Sequence, residues 1–78
     1  MKECFCFISL PMLGKEFLAY IHQSMYIDQY LSSLCIYFPV LESKELLRIY
    51  QPVDDYFYNC QSTFYEQGLE NGDWLIIF

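Results

Sequence analysis

The side chains best suited to chemistry are a single histidine, His22, and four cysteines, Cys4, Cys6, Cys35 and Cys60. A nucleophilic Cys–His pair needs an orienting third group and donors for an oxyanion, and no stretch of the chain offers either pattern. A zinc site calls for closely spaced ligand pairs. No Cys-x-x-Cys occurs, and His22 is far in sequence from Cys35 and Cys60. Four cysteines would suit two disulfides in a secreted chain. Against that, Cys35 falls on the apolar stripe of a predicted helix, where a thiol behaves as a small hydrophobe. The expectation is reduced, packed cysteines and no metal. Asp54 and Asp55 form the longest acidic run, but neighbours on a turn point apart into water rather than working as a carboxylate pair. No glycine-rich phosphate loop is present. These patterns predict no catalysis and no cofactor.

The remaining composition points to binding. The 78 residues suit one domain, spanning 1–78, and 55% of them are hydrophobic and 21% aromatic. A chain of this size buries only about 60–65% of the surface its unfolded form exposes. So much apolar side chain exceeds what one small core holds, and the surplus on the surface predicts a partner. Ten acidic residues against four Lys and Arg give a net charge of −6, which opposes binding to nucleic acid or to an anionic bilayer. The segment after Lys2 resembles a short signal-peptide core, but Glu3 spoils its basic start and no small-residue cleavage site follows. No apolar run approaches the ~20 residues needed to span a membrane. The expected location is the cytoplasm, without membrane insertion.

Elements follow from pattern. ECFCFISL at 3–10 reads as a strand ending at Pro11, PMLGK at 11–15 as a turn, and EFLAYIHQ at 16–23 as the second strand of a hairpin. Both faces of that hairpin carry apolar groups, with Phe17, Ala19 and Ile21 on one side and Leu18 and Tyr20 on the other, so the register stays open. Ser24 can cap a helix with Asp28 in its first turn. Ile27, Leu31, Leu34, Cys35 and Phe38 then share one helical face, and Pro39 stops the segment. The spacing predicts a helix over 25–37. A polar connection at 40–44 leads to a strand at 45–50, with Leu47 and Ile49 inward and Leu46, Arg48 and Tyr50 outward. A short strand at 56–60, a polar loop at 61–73 with a turn at Asn71-Gly72-Asp73, and a last strand at 74–78 complete the order. The apolar ending predicts an internal strand. The fold class is α+β, a mixed sheet of four to five strands packed on one amphipathic helix.

That order resembles ubiquitin and its β-grasp relatives. Leu13-Gly14-Lys15 stands where ubiquitin has its first hairpin turn, and Ser24-Met25-Tyr26-Ile27 resembles its helix start. The segment STFYEQGLENGDWLIIF at 62–78 is similar to ubiquitin's closing loop and strand, with Phe64, Leu69, Leu75 and Ile77 plugging the core. Within that superfamily, GLENGDWLIIF and YIDQYLSSL look most like the YukD/EsaB proteins of Gram-positive type VII secretion systems. The first strand pair is richer in aromatics and cysteines than that pattern, and 52–61 aligns poorly with it. The resemblance implies a ubiquitin-like fold and a non-enzymatic accessory role. The sequence ends at Phe78 with no Gly-Gly beyond it, so the implied branch is the non-conjugated one.

If Leu75 and Ile77 face the helix, alternation turns Trp74, Ile76 and Phe78 outward. With Leu46, Arg48 and Tyr50 they form a candidate protein-interaction face, the place where ubiquitin carries its main recognition patch. Aromatic side chains around one Arg are the composition of binding hot spots. The competing reading is that a loop covers them or that WLIIF is buried on both sides. The expected partners are secretion-system proteins or a second copy of the chain. The alternative function is an acidic phage-type inhibitor, a DNA mimic that blocks a nucleic-acid-binding protein. Rows of carboxylates at phosphate-like spacing favour it, and scattered acids disfavour it.

Overall fold

The computed structural model describes residues 3–78; Lys2, weighed above as the basic start of a signal-like segment, lies outside the described residues. The strand β1 (Glu3–Leu10) turns through a 3-10 turn at Pro11–Leu13 into β2 (Lys15–His22), and α1 (Ile27–Tyr37) crosses behind the hairpin. Two further 3-10 turns, Pro39–Leu41 and Lys44–Leu46, lead to β3 (Ile49–Gln51), β4 (Tyr56–Phe57) and β5 (Asp73–Ile77). The sheet order is β2-β1-β5-β3-β4. β5 runs parallel to β1 and antiparallel to β3, so the apolar final segment is an internal strand, as its composition predicts. One helix on a mixed five-stranded sheet is the expected α+β arrangement.

The hairpin register, open in the sequence, puts apolar side chains on both faces. Cys4, Cys6, Ile8 and Leu10 point inward, with Ile21, Ala19 and Phe17 facing Cys4, Cys6 and Ile8 across the ladder. Phe5, Phe7, Leu18 and Tyr20 turn to the other face. From the helix, Ile27, Leu31 and Leu34 are buried, with Cys35 and Phe38 partly covered against them. Leu75 and Ile77 complete the inner layer, and Phe64 and Leu69 plug it from the long loop, as the resemblance implied.

Three boundaries differ from the sequence reading. The helix begins at Ile27 rather than 25, and Ser24 is not its cap: its hydroxyl lies 3.3 Å from His22 Nδ1. The first helical N–H groups are satisfied by a distant loop instead, Ile27 N donating to Ser62 O at 3.0 Å and Asp28 N to Cys60 O at 3.2 Å. Gln29 Oε1 accepts from Tyr26 N at 3.4 Å, closing the turn before it. The strand expected at 45–50 shortens to Ile49–Gln51, because Lys44–Leu46 coils into a 3-10 turn begun at Ser43, whose Oγ accepts from Glu45 N. The strand expected at 56–60 is only Tyr56–Phe57; beyond it Tyr58 turns inward, its N–H donating to Ile49 O at 2.9 Å.

Candidate functional site

The outer face of the sheet can be built rung by rung from the strand register. Residues paired across a ladder project to the same side of the sheet. Leu18, Phe7 and Trp74 form one row across β2, β1 and β5. Glu16, Ser9, Ile76, Tyr50 and Phe57 form the next, across all five strands. Beyond it Arg48 and Phe78 exchange backbone hydrogen bonds of 2.7 and 3.0 Å. On the other flank, Tyr20 pairs with Phe5. None of these rows is crossed by the helix, which lies on the opposite side with the core.

Arg48, Tyr50, Trp74, Ile76 and Phe78 thus stand together on that surface, with Trp74 and Phe78 exposed and Ile76 and Tyr50 half-buried by their neighbours. Leu46 does not share their ladder. It is exposed, but it sits in the 3-10 turn that replaced the expected strand, so alternation no longer fixes its direction. Phe5, Phe7, Leu18, Tyr20 and Phe57 extend the same surface and were not singled out in the sequence. Their signal was the cysteine spacing: two thiols two residues apart on one face place Phe5 and Phe7 on the other.

The rings pack among themselves. Phe5 and Phe7 meet edge to face at 6.4 Å, and Phe57 bridges Tyr50 at 5.0 Å and Phe78 at 6.0 Å. Trp74 lies over Ser9, its Nε1–H donating to Ser9 Oγ at 3.0 Å while that hydroxyl donates to Glu16 Oε2 at 3.2 Å. This explains why Ser9, an outward residue, is buried. The Tyr50 hydroxyl donates to Asp55 at the rim, and that carboxylate holds the phenol above its ordinary range. The indole and Glu16 are therefore tied together on the surface through Ser9.

The residues with chemical potential are dispersed. Strand alternation places His22, paired with Glu3, on the outer side of the hairpin, and Cys4 and Cys6 on the inner side. Burial pushes the Cys6 thiol up to about 12, with Asp73 and Cys4 adding to the shift, far from the thiolate a nucleophile needs. The Cys60 thiol is also raised, chiefly by burial. All four cysteines are free. Asp54 and Asp55 serve different partners: Asp54 exchanges hydrogen bonds with the buried Gln51 side chain at 2.9 and 3.1 Å, while Asp55 takes the Tyr50 hydroxyl. Among the described residues no cluster of three metal-ligating groups occurs, and no helix is long and apolar enough to cross a membrane.

The chain matches no protein-family profile and no curated protein. Solved structures match it closely in shape. The ubiquitin-like domain of an Arabidopsis thaliana protein superposes with a TM-score of 0.76 at 10% identity, over 100% of this chain and 78% of that one. A second, N-terminal ubiquitin-like domain gives 0.76 at 8% identity, over 99% and 74%. Ubiquitin from Caldiarchaeum subterraneum gives 0.74 at 10% identity, over 96% and 90%. At these identities the likeness is one of fold, and that fold is the ubiquitin-like β-grasp.

Proposed function

We propose that this domain is a protein-interaction module that binds through the outer face of its sheet. The observation that carries the reading is the run of aromatic side chains left uncovered on that face, while the inner face already fills the core. A ubiquitin-like fold supports a binding role in general, and no catalytic constellation assembles among the described residues. The residues matched to the YukD/EsaB pattern, Gly72-Asp73 at the start of β5 and the 26–34 segment at the start of the helix, support a more specific placement as a cytoplasmic accessory component of a type VII secretion system. The acids favour this over a DNA mimic. Asp54, Asp55, Glu66 and Asp73 accept hydrogen bonds within turns, Glu45 is bonded to Ser43, and Asp28 pairs with Lys44 at 2.6 Å. They are spread among separate local contacts rather than set in rows.

The test is capture of partners from the cytosol of the native cell with tagged protein, beside a Trp74→Ala, Phe78→Ala double variant. Recovery of secretion-system components by the wild type and their loss from the variant, with the far-UV spectrum unchanged, is the expected result. Unchanged capture would remove the outer face from the mechanism, and recovery of a nuclease or DNA-binding protein would transfer the assignment to the inhibitor.

A further inference from the structure

The outer face has the size and charge layout of a surface that pairs with itself. Phe5, Phe7, Tyr20, Phe57, Trp74 and Phe78 are each between 38% and 65% exposed. At about 200 Å² for an aromatic side chain, they alone leave roughly 600 Å² uncovered on one side of the sheet. Leu18, Ile76 and Tyr50 add to it. That is at or above the largest apolar patch of a typical monomer, about 300–600 Å², and near the ~800 Å² per partner of a stable interface.

The charges are placed with the same economy. Of the ten acids, only Glu3 and Glu16 occupy outward strand positions, and Glu3 is at the margin opposite His22. Among the described residues, Arg48 is the one cation beside the apolar rows on the other flank. Glu16 on β2 and Arg48, the residue before β3, therefore bracket the β1–β5 centre, one strand beyond it on either side. A two-fold axis running along the strands between β1 and β5 maps β1 onto the partner's β5, and β2 onto the partner's β3. Phe7 then lies over the partner's Trp74, where Phe7, Leu18 and Trp74 line a shallow depression. Glu16 comes opposite the rung of the partner's Tyr50, so the partner's Arg48 is about 7 Å along the strand, within the reach of two long side chains. The symmetry forms this ion pair twice.

We infer that the outer sheet face is a homodimer interface, in which two copies stack face to face and Arg48 of each meets Glu16 of the other. This rests on the reading of that face as an interaction surface and names a second copy as its occupant; a heterologous partner at the same face competes with the dimer. Self-complementarity of one surface is what a two-fold interface requires, and aligned sheets pack with their faces ~10 Å apart.

Sedimentation equilibrium of the purified chain from micromolar to millimolar concentration is the test, with the fold of each variant monitored by far-UV circular dichroism. The wild type is expected to dimerise in that range. Phe7→Glu, a change on the exposed side of β1, should weaken association by at least about thirtyfold, the loss typical of a central hot spot. Glu16→Arg and Arg48→Glu should each weaken it by about tenfold, and the double reversal should restore it, since both pairs re-form with opposite polarity. A chain that stays monomeric throughout overturns the dimer; if Trp74→Ala with Phe78→Ala still abolishes partner capture, the interaction face itself stands. A dimer indifferent to Phe7→Glu overturns the choice of face. A double reversal no better than either single overturns the two-fold register.

Discussion

Removing one oxygen atom from Tyr58 should make this domain more stable. Tyr58 is 4% exposed, and its hydroxyl is buried with no hydrogen-bond partner. Burial, with the Tyr56 phenol as the nearest polar neighbour, holds its phenol above the ordinary range, but no hydrogen bond of normal geometry reaches the hydroxyl, so the penalty is that of a dehydrated neutral group. Such a group costs about 1–3 kcal/mol when left unsatisfied. The ring itself is well used: it meets Phe64 edge to face at 6.2 Å and Tyr56 at 5.5 Å. Tyr58→Phe keeps those contacts and removes the penalty, giving a gain of about 1 kcal/mol, or about 4–8 °C in Tm for a domain of this size. Tyr56→Phe is the contrasting change, made at the neighbouring phenol. The Tyr56 hydroxyl donates to Gln67 O at 2.8 Å, so the same deletion two residues earlier should cost about 1 kcal/mol. Urea titration followed by circular dichroism, with an unchanged m value, measures both. A Tyr58→Phe variant destabilised as much as Tyr56→Phe would refute the reasoning, because it would mean that the Tyr58 hydroxyl is satisfied in solution.

Other outcomes follow from the core. Phe64 is fully buried and packs edge to face on Tyr30 at 5.6 Å; Phe64→Ala should cost about 3–5 kcal/mol, enough to leave much of a small domain unfolded at 37 °C in a thermal melt. Iodoacetamide at pH 8 should leave Cys4 and Cys6 unmodified in the native protein and alkylate them after denaturation, read by mass spectrometry, since both are fully buried and the Cys6 thiol titrates only near 12. Rapid native modification of Cys6 would show that β1 opens far more readily than its pairing on both edges allows.

The elements that local pattern fixes were legible in the sequence, and those that need a distant partner were not. The first strand, the helix face and the internal closing strand follow from alternation, from 3.6-residue spacing and from the concentration of apolar residues in WLIIF. The helix start was misread because its N–H groups are satisfied by the carbonyls of Cys60 and Ser62, over thirty residues away, while Ser24 offered a plausible local cap. The segment ELLRIY alternates well enough for a strand, yet Ser43 closes Lys44–Leu46 into a turn first, and ladder bonds to β5 begin only at Arg48. Five residues of the outer face were identifiable as a group, because one inward residue per strand determines the rest. The β1–β2 half was hidden for the opposite reason: apolar residues, aromatic rings included, occupy both faces there, with Phe17 inward and Phe5, Phe7 and Tyr20 outward, so neither face stands out by pattern.

The same two-sided pattern raises the question of why the outer face is aromatic. Cross-strand aromatic pairs such as Tyr50 with Phe57, or the tilted contact of Phe57 with Phe78, stabilise a sheet by about 0.2–1 kcal/mol each. Stability alone could be the reason for their presence. Threonine and valine would serve an outer strand position with comparable propensity and less exposed ring, however, and a small acidic domain gains nothing in solubility from rings left half in water. Trp74 sharpens the distinction. Its indole is tied to Ser9 and through it to Glu16, an arrangement that fixes the orientation of an exposed ring and of the one acid beside the apolar rows. Ordering exposed side chains in the free protein lowers the entropy lost when they are covered. The proposed binding role gives this ordering a purpose, and packing of the sheet by itself does not call for it.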